Sequence, residues 1–184
     1  DLKQWEKFVK SVKSPDKKIK IGLVGKYVEL HDAYKSIHES FIHAGAVNNC
    51  RVEVEWIHSE LLEEQGWESK LQDLKGILVA PGFGHRGIEG KINAARYARE
   101  NNIPFLGICL GMQCAVIEFA RNVLNLKKAN STEMDSKTPD PVIDLMEHQK
   151  NITDKGGTMR LGAYECKIKP GTIASGVYDH MCVT

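Results

Sequence analysis

Short apolar segments alternate with amphipathic helical patterns along the first two thirds of the chain. The apolar segments, which are predicted strands, cover residues 19–24, 52–56, 76–80 and 104–108, and the helical patterns cover 34–44, 59–71, 88–100 and 110–121. Strands joined through helices by short connections pair in parallel, and a parallel sheet needs cover on both faces. The sequence therefore predicts an α/β fold in three layers, a doubly wound, mostly parallel sheet with helices on both faces.

Capping residues predict where two of these helices begin and end. Asp32 precedes the apolar positions of the helix at 34–44 and is its predicted N-cap, and Gly45 marks its predicted end. Ser59 is the predicted cap of the following helix, whose apolar positions run as far as Leu71.

A separate helical pattern occupies the first twelve residues and is broken by Ser14-Pro15-Asp16. We interpret residues 1–16 as the end of an interdomain linker helix and residues 17–184 as one domain. Beyond the last predicted helix the pattern weakens. Residues 130–154 are predicted to be mainly loop with one short apolar stretch, 142–146, and residues 158–169 are predicted to be a strand pair.

The charge balance and the cysteine content exclude several classes of function. Lys and Arg number 25 against 24 Asp and Glu, so no strong field favours nucleic acid or an anionic membrane. No apolar run reaches the ~18 residues that a membrane span needs. The cysteine count is odd and no C-x-x-C pair occurs, which predicts neither a disulfide framework nor a metal site and favours the cytoplasm. These cysteines are Cys50, Cys109, Cys114, Cys166 and Cys182.

Cys109 stands at the junction between the fourth predicted strand and the helix that follows it, with Gly107 two residues before and Gly111 two residues after. This arrangement is the thiol form of a nucleophile elbow, a sharp turn that projects the nucleophile from the sheet edge. Side chains at the two glycines would collide where strand and helix approach. The amides at a helix start favour a thiolate, and the Leu110 amide can donate to an oxyanion.

A buried structural cysteine is the alternative for this position, and a lone cysteine would favour it. The combination of strand, Gly-x-Cys-x-Gly and helix favours the nucleophile instead. Cys114, one helical turn further on, is predicted to be structural.

A second glycine-rich turn, residues 80–87, follows the third predicted strand. In a parallel sheet it lies at the same edge as Cys109, where ligands of open α/β sheets bind. The Gly82 amide is therefore a candidate second oxyanion donor. A turn without a ligand is an equal alternative for this segment taken alone, and its spacing matches neither common phosphate-binding fingerprint.

Several segments together resemble the CTP synthase family of class I (triad-type) glutamine amidotransferases. Gly-Ile-Cys-Leu-Gly-Met-Gln resembles the nucleophile motif of the class. The other similar segments are Ile-Gly-Leu-Val-Gly-Lys-Tyr at 21–27, Pro-Gly-Phe-Gly-His-Arg-Gly at 81–87, Asn-Ser-Thr-Glu at 130–133 and Gly-Gly-Thr-Met-Arg-Leu-Gly at 156–162. The resemblance spans about residues 17–178 and implies the flavodoxin-like fold of that class.

The resemblance implies roles for particular residues. Cys109 would be the nucleophile, and the Gly82 and Leu110 amides would stabilise the oxyanion. Gln113 and Glu133 would hold the α-amino and α-carboxylate end of glutamine. The remaining implied site residues are Phe83 in the substrate pocket and Arg86, Gly87 and Glu89 in a lid that responds to the activator GTP.

The sequence departs from the family at two places. Ala80-Pro81-Gly82 stands where many members have Pro-Gly-Gly. The Gly82 amide is retained despite this difference. The catalytic His and Glu of the family follow the region of Tyr178, but here the sequence reads Asp-His-Met-Cys-Val-Thr and contains no His-x-Glu. His180 is interpreted as a surface residue, and the C-terminal part of the domain is expected to be incomplete.

The activity implied by the resemblance is hydrolysis of glutamine to glutamate and ammonia through a cysteine thioester. The ammonia would serve ATP-dependent amination of UTP to CTP in an amino-terminal synthetase domain, which would bind ATP and Mg²⁺, whereas this domain would need no cofactor. The full enzyme would be a homo-oligomer, a tetramer. Two alternatives stay open: another enzyme of the same scaffold, such as a γ-glutamyl peptidase, and a domain that binds glutamine without turning it over.

Overall fold

The computed structural model describes residues 2–146, 162–178 and 182–183. Two compact units are present, Asp1–Asp144 and Leu145–Thr184. The strands of the first unit are β1 (Lys17–Gly25), β2 (Cys50–His58), β3 (Gly76–Val79), β4 (Phe105–Gly107), β5 (Asn130–Ser131) and β6 (Pro141–Ile143). Its α-helices are α1 (Leu2–Lys13), α2 (Lys35–Val47), α3 (Ile88–Glu100) and α4 (Leu110–Asn122).

The main sheet has the strand order β2-β1-β3-β4, and every pairing in it is parallel. The chain leaves β1 toward one edge to form β2, and it leaves β3 toward the other edge to form β4. The order therefore reverses between β1 and β3, and the loops after these neighbouring strands diverge and open a crevice at their carboxyl ends. The predicted α/β class with a parallel sheet is confirmed.

Alternate residues of the inner strands supply two separate cores. Leu23 and Leu78 are paired in register and pack on one face with Phe41 of α2. Their neighbours Val24 and Val79 pack on the opposite face together with helix α3. Burial of one such side chain stabilises the fold by about 1.5–3 kcal/mol, so both faces of the sheet contribute to holding its carboxyl edge in place.

The start of α2 differs from the prediction. Asp32 lies inside a 3-10 turn, His31–Tyr34, and is not the N-cap, because the residue at that position is Tyr34 and its side chain makes no cap bond. The Tyr34 hydroxyl instead accepts the backbone amides of Lys26 and Tyr27, at 3.1 and 3.3 Å. The turn after β1 needs a buried hydrogen-bond acceptor, and Tyr34 supplies it. The helix therefore begins after Tyr34 and not after Asp32.

The predicted end of α2 at Gly45 is also wrong, since the helix continues to Val47. Gly45 is buried, and a Cβ there would lie 2.5 Å from the Cys50 carbonyl oxygen. This glycine permits a close approach between helix and strand and does not end the helix.

The single helix predicted over residues 59–71 is two 3-10 turns, Ser59–Leu62 and Trp67–Leu71. Gly66, at φ 75°, separates them. His58 is the capping residue of the first turn, because its ring nitrogen Nδ1 accepts the Glu60 amide at 3.4 Å. Leu62 and Leu71 are nevertheless fully buried, so the apolar positions were correct although the helix was not.

Helix α1 packs beside α2 through Phe8, whose ring stacks on Trp5 and meets His43 edge to face at 5.7 Å. Its predicted role as the end of a linker stays a prediction. None of the helices in the described ranges has the length and hydropathy that crossing a bilayer requires. Within the stretch predicted to be mainly loop, β5 and β6 pair in parallel.

The second unit contains β7 (Cys166–Lys167), helix α5 (Ile173–Val177) and β8 (Cys182–Val183). β7 and β8 are antiparallel partners. The strand pair predicted over residues 158–169 lies partly outside the described residues, and in the described part only Cys166–Lys167 is a strand. Most of the Gly-Gly-Thr-Met-Arg-Leu-Gly segment and His180 also lie outside them.

Candidate active site

Cys109 occupies the turn between β4 and α4, as the N-cap residue of the helix. Its backbone has φ 53° and ψ −111°, a conformation that glycine adopts readily and a residue with a side chain does not. The thiol is exposed. A strained turn between strand and helix that carries an accessible thiol is the arrangement that an elbow requires.

Two glycines allow three stretches of backbone to meet below the thiol. A Cβ at Gly107 would lie 2.5 Å from the Gly111 carbonyl carbon and the Met112 nitrogen, and a Cβ at Gly111 would lie 2.2 Å from the Val79 carbonyl oxygen. The same Val79 oxygen accepts the Ile108 amide at 3.1 Å. The predicted clash at both glycines is confirmed, and the elbow rests directly on the end of β3.

The two amides predicted to bind an oxyanion are free to donate. In the described part of the chain, neither the Leu110 amide nor the Gly82 amide donates a hydrogen bond to another protein group. Leu110 is the first residue of α4, where a helix offers its amide no internal partner. Gly82 lies next to it, since a Cβ at Gly82 would be 4.0 Å from Leu110 Cδ2.

Two buried lysines lie beneath the loop that follows β3. The Lys26 ammonium donates to the carbonyl oxygens of Phe83 and Gly84, at 2.6 and 2.7 Å. The Lys91 ammonium donates to the carbonyl oxygen of Ala80 at 2.7 Å. Their exposed fractions are 4% for Lys26 and 0% for Lys91.

Burial controls the ionisation of these lysines. Desolvation lowers the pKa of Lys91 to about 8, although the thiols of Cys114 and Cys109 act in the opposite direction. Desolvation also lowers the pKa of Lys26, assisted by the charge of Arg86. Two cationic groups are therefore held beside the elbow at a cost in stability.

Cys114 differs from Cys109 in the way the sequence predicted. It lies on the buried side of α4, where it packs with Ile88, Ile92 and Ile117. Burial raises the pKa of its thiol to about 11. Thiols react as thiolates, so Cys114 is the less reactive cysteine of this helix.

The two residues predicted to hold the glutamine backbone come from different segments. Gln113 lies on the first turn of α4, one turn beyond Cys109, and its side chain is half-buried. Glu133 is exposed in the loop after β5, where its amide donates to the Ser131 hydroxyl at 3.2 Å. The charge of the Glu133 carboxylate opposes, as the smallest of the contributions, the lowering of the Lys26 pKa by burial.

The predicted lid residues surround a separate pocket of about 350 Å³ at the start of α3. The guanidinium of Arg86 pairs with Glu60 at 3.5 Å. Glu89 accepts two hydrogen bonds from Arg121, both of 2.9 Å. Gly87, at φ 69°, is the N-cap of α3, while the Phe83 side chain is 83% exposed.

A family model described as glutamine amidotransferase class-I matches residues 29–183 of this sequence. The chain belongs to the class I glutamine amidotransferase family. This membership agrees with the strained cysteine elbow and the parallel sheet that carries it.

Relatives within this amidotransferase family are close in sequence. The CTP synthase of Flavobacterium johnsoniae is 62% identical over all 184 residues, and that of Methanocaldococcus jannaschii is 59% identical over 97% of the chain. The chain spans about a third of the length of these curated relatives, 34% in both cases. Among solved structures, the glutaminase domain of Trypanosoma brucei CTPS with bound acivicin is 34% identical, with a TM-score of 0.74 over 87% of this chain and 62% of that one.

The structure thus brings some of the predicted residues of the amidotransferase site close to Cys109 and leaves others apart from it. Leu110 directly follows Cys109 on the helix that also carries Gln113, and Gly82 lies beside Leu110, whereas the lid residues line a pocket at the start of α3. Sequence reasoning gave no role to Lys26 or Lys91. A signal for Lys91 was available, because it lies three residues after Ile88, on the face of α3 that the apolar positions mark as buried.

Proposed function

We propose that this chain is the glutaminase domain of a CTP synthase and that Cys109 is its nucleophile. The proposal depends above all on one observation, an exposed thiol on a strained strand–helix turn beside two backbone amides that find no protein acceptor among the described residues. The relatives named CTP synthase support the same assignment, as does the related domain that binds acivicin, a glutamine analogue.

The reaction begins when the Cys109 thiolate attacks the side-chain amide carbon of glutamine. The C=O electron pair moves onto oxygen, and the amides of Gly82 and Leu110 stabilise the resulting oxyanion. The C–N bond then breaks as the nitrogen takes up a proton and leaves as ammonia. Water hydrolyses the thioester to glutamate and regenerates the thiol. Loss of one oxyanion donor typically lowers the rate about 10²–10³-fold.

Recognition of the substrate backbone falls to Glu133 and Gln113. A carboxylate can hold the α-amino group of glutamine, and a side-chain amide can donate to its α-carboxylate. Phe83 and the nearby backbone line this pocket; the Phe83 side chain is exposed, and its carbonyl oxygen accepts a hydrogen bond from Lys26.

The whole protein, on this proposal, uses the ammonia in a synthetase domain that binds ATP and Mg²⁺ and aminates UTP to CTP. It works in the cytoplasm as a tetramer, with GTP acting through the lid of Arg86, Gly87 and Glu89. The linker helix at residues 1–16 leads to that synthetase domain.

The test separates the two nitrogen sources. In the full-length protein that contains this chain, Cys109→Ala should abolish CTP formation from glutamine and leave formation from added ammonia intact. Cys166→Ala, at another exposed cysteine, is the matched control and should change neither rate. Glutamine-dependent synthesis that survives in Cys109→Ala would refute the proposal.

A second substitution tests the substrate contact. Glu133→Ala should raise the KM for glutamine at least tenfold and spare ammonia-dependent synthesis. Asp135→Ala, in the same loop, is its control. Equal loss with both nitrogen sources would indicate damage to folding and would refute the assigned contact.

A further inference from the structure

The loop at residues 80–84 is fixed by its carbonyl groups. Three of its five carbonyl oxygens, those of Ala80, Phe83 and Gly84, accept hydrogen bonds from lysine ammonium groups. Lys26 reaches the loop from the end of β1, and Lys91 reaches it from the first turn of α3. The loop is therefore held from both sides, by the residue that follows β1 and by a residue of α3.

This arrangement is costly for the fold. Neither lysine has a carboxylate within 4.0 Å among the ion pairs of the described residues. An ammonium group buried without a counter-ion destabilises the folded state, and an apolar residue of similar volume would avoid that cost. A pair of buried cations beside one loop therefore points to a use in the site.

Gly82 lies between the two lysines and the start of α4. A Cβ at Gly82 would be 3.6 Å from the Lys91 ammonium nitrogen and 4.0 Å from both Lys26 Cδ and Leu110 Cδ2. The peptide that carries the Gly82 amide is thus enclosed by the two lysines and by Leu110, the residue that follows Cys109. Movement of either lysine would move this amide relative to the thiol.

We propose that Lys26 and Lys91 are positioning residues that clamp the loop at residues 80–84 and hold the Gly82 amide against the oxyanion formed at Cys109. The inference rests on the proposed function, because it assumes that Gly82 is an oxyanion donor. Neither lysine touches the reacting atoms, since both act through the carbonyl groups of the loop.

A loosened clamp affects the transition state more than the bound substrate. An oxyanion exists only during the reaction, so a misplaced donor lowers kcat and leaves the KM nearly unchanged. Lys26→Met and Lys91→Met should each lower kcat for glutamine hydrolysis in the full-length protein by about 10–100-fold, less than full loss of a donor. The KM should change less than threefold, and ammonia-dependent CTP formation should stay at the wild-type rate.

Alkylation of Cys109 distinguishes positioning from general damage. Iodoacetamide needs only the thiolate, whereas the glutamine analogue 6-diazo-5-oxo-norleucine must also seat its carbonyl against the loop. The methionine variants should react with iodoacetamide within about threefold of the wild-type rate and with the analogue at least tenfold more slowly. Lys20→Met, at an exposed lysine of β1, the strand that Lys26 directly follows, is the control and should behave as wild type in both.

The two proposals fail separately. Suppose that the wild-type protein hydrolyses glutamine and that both methionine variants keep a kcat within threefold of it. The proposed function would then stand, and the proposed role of the two lysines would be refuted. An equal loss of iodoacetamide reactivity would also overturn it, because the lysines would then support the thiol itself or the fold. If a methionine variant does not unfold cooperatively, Lys26→Gln or Lys91→Gln takes its place, with the same outcomes.

Discussion

At the scale of single residues, Cys109 holds a conformation that opposes stability. Its φ of 53° and ψ of −111° suit glycine, and such strain costs about 1–3 kcal/mol in other residues. Glycine also gives the unfolded chain more conformational entropy than alanine does, which lowers the free energy of unfolding by about 0.4–1 kcal/mol. We therefore predict that Cys109→Gly is about 1 kcal/mol more stable than Cys109→Ala. Urea unfolding of both variants tests this, and a glycine variant less stable than the alanine variant would contradict it.

Selective labelling tests the reactivity of the same residue. Cys109 is exposed at a helix start, whereas burial raises the pKa of the Cys114 thiol to about 11. A hydrogen bond to the Glu165 carboxylate raises the pKa of the Cys182 thiol. We predict that 6-diazo-5-oxo-norleucine modifies Cys109 alone. Mass spectrometry of digested protein locates the adduct, and modification at Cys114 or Cys50 would show that the elbow does not select the nucleophile.

The buried Lys91 should leave a signature in the dependence of stability on pH. It releases its proton near pH 8 in the folded chain and near pH 10.5 when unfolded, so between these values the unfolded state binds more protons. The free energy of unfolding then rises with pH, by up to about 3 kcal/mol for this group. We predict that wild type gains stability relative to Lys91→Met as the pH rises from 8 to 10.5.

Denaturation midpoints of the two proteins at half-unit steps of pH provide the measurement. Comparison with Lys91→Met cancels the other titrating groups to a first approximation. A stability difference that stays flat over this range would contradict the prediction.

Sequence reasoning reached some of these residues and missed others for physical reasons. Cys109 was predictable because its function depends on a local pattern of strand, glycines and helix. Lys26 and Lys91 were not, because their contacts join positions 57 and 11 residues apart and depend on how three elements meet. A long polar side chain on an apolar helical face was the only local sign of Lys91.

At the scale of elements, the junction of β4 with α4 depends on Gly111. A Cβ there would meet the Val79 carbonyl oxygen at 2.2 Å, and backbone cannot yield as a flexible side chain can. We predict that Gly111→Ala destabilises the chain by at least about 3 kcal/mol, at the upper end of overpacking effects. Gly176→Ala is the matched control, because this helical glycine has nothing within 4 Å.

Thermal unfolding of both variants decides the matter. The control should be neutral or slightly stabilising, since alanine is favoured over glycine within a helix by about 1 kcal/mol. A Gly111→Ala protein as stable as the control would mean that the elbow can open, and the close approach would then have no structural importance.

The elements themselves were predictable where one signal dominated. The helix at Ile88–Glu100 has apolar residues at helical spacing, the four strands of the main sheet are short apolar segments, and these residues supply the core. The prediction failed at residues 59–71, where apolar spacing suited a helix but Gly66 adopts a left-handed conformation. It failed at Asp32, where the buried Tyr34 hydroxyl binds the turn after β1. A tertiary contact outweighed local propensity at Asp32, whereas a glycine within the segment interrupted the helix at residues 59–71.

At the scale of the whole molecule, strand order brings the site together. With β1 and β3 as neighbours at the centre, the loops that carry Lys26 and Gly82 lie side by side, and β4 adds Cys109 at the same edge. The parallel class was predictable from the alternation of strands and helices. The alternation alone does not fix the order β2-β1-β3-β4, because it does not state on which side of the preceding strand each new strand is added, but this order is the one that the flavodoxin-like fold implied by the resemblance has.

The contact of Gly107 and Gly111 with the end of β3 has a consequence for how such a protein can change over time. The sulfur is located by main-chain atoms of three segments, and the outward side chains of α4 take no part in placing it. Substitutions at positions such as Met112, Val116 and Phe119, all substantially exposed, can therefore accumulate while the reactive atom stays in place. Residues on the outer face of the helix can therefore change to suit new binding partners without altering the position of the reactive sulfur.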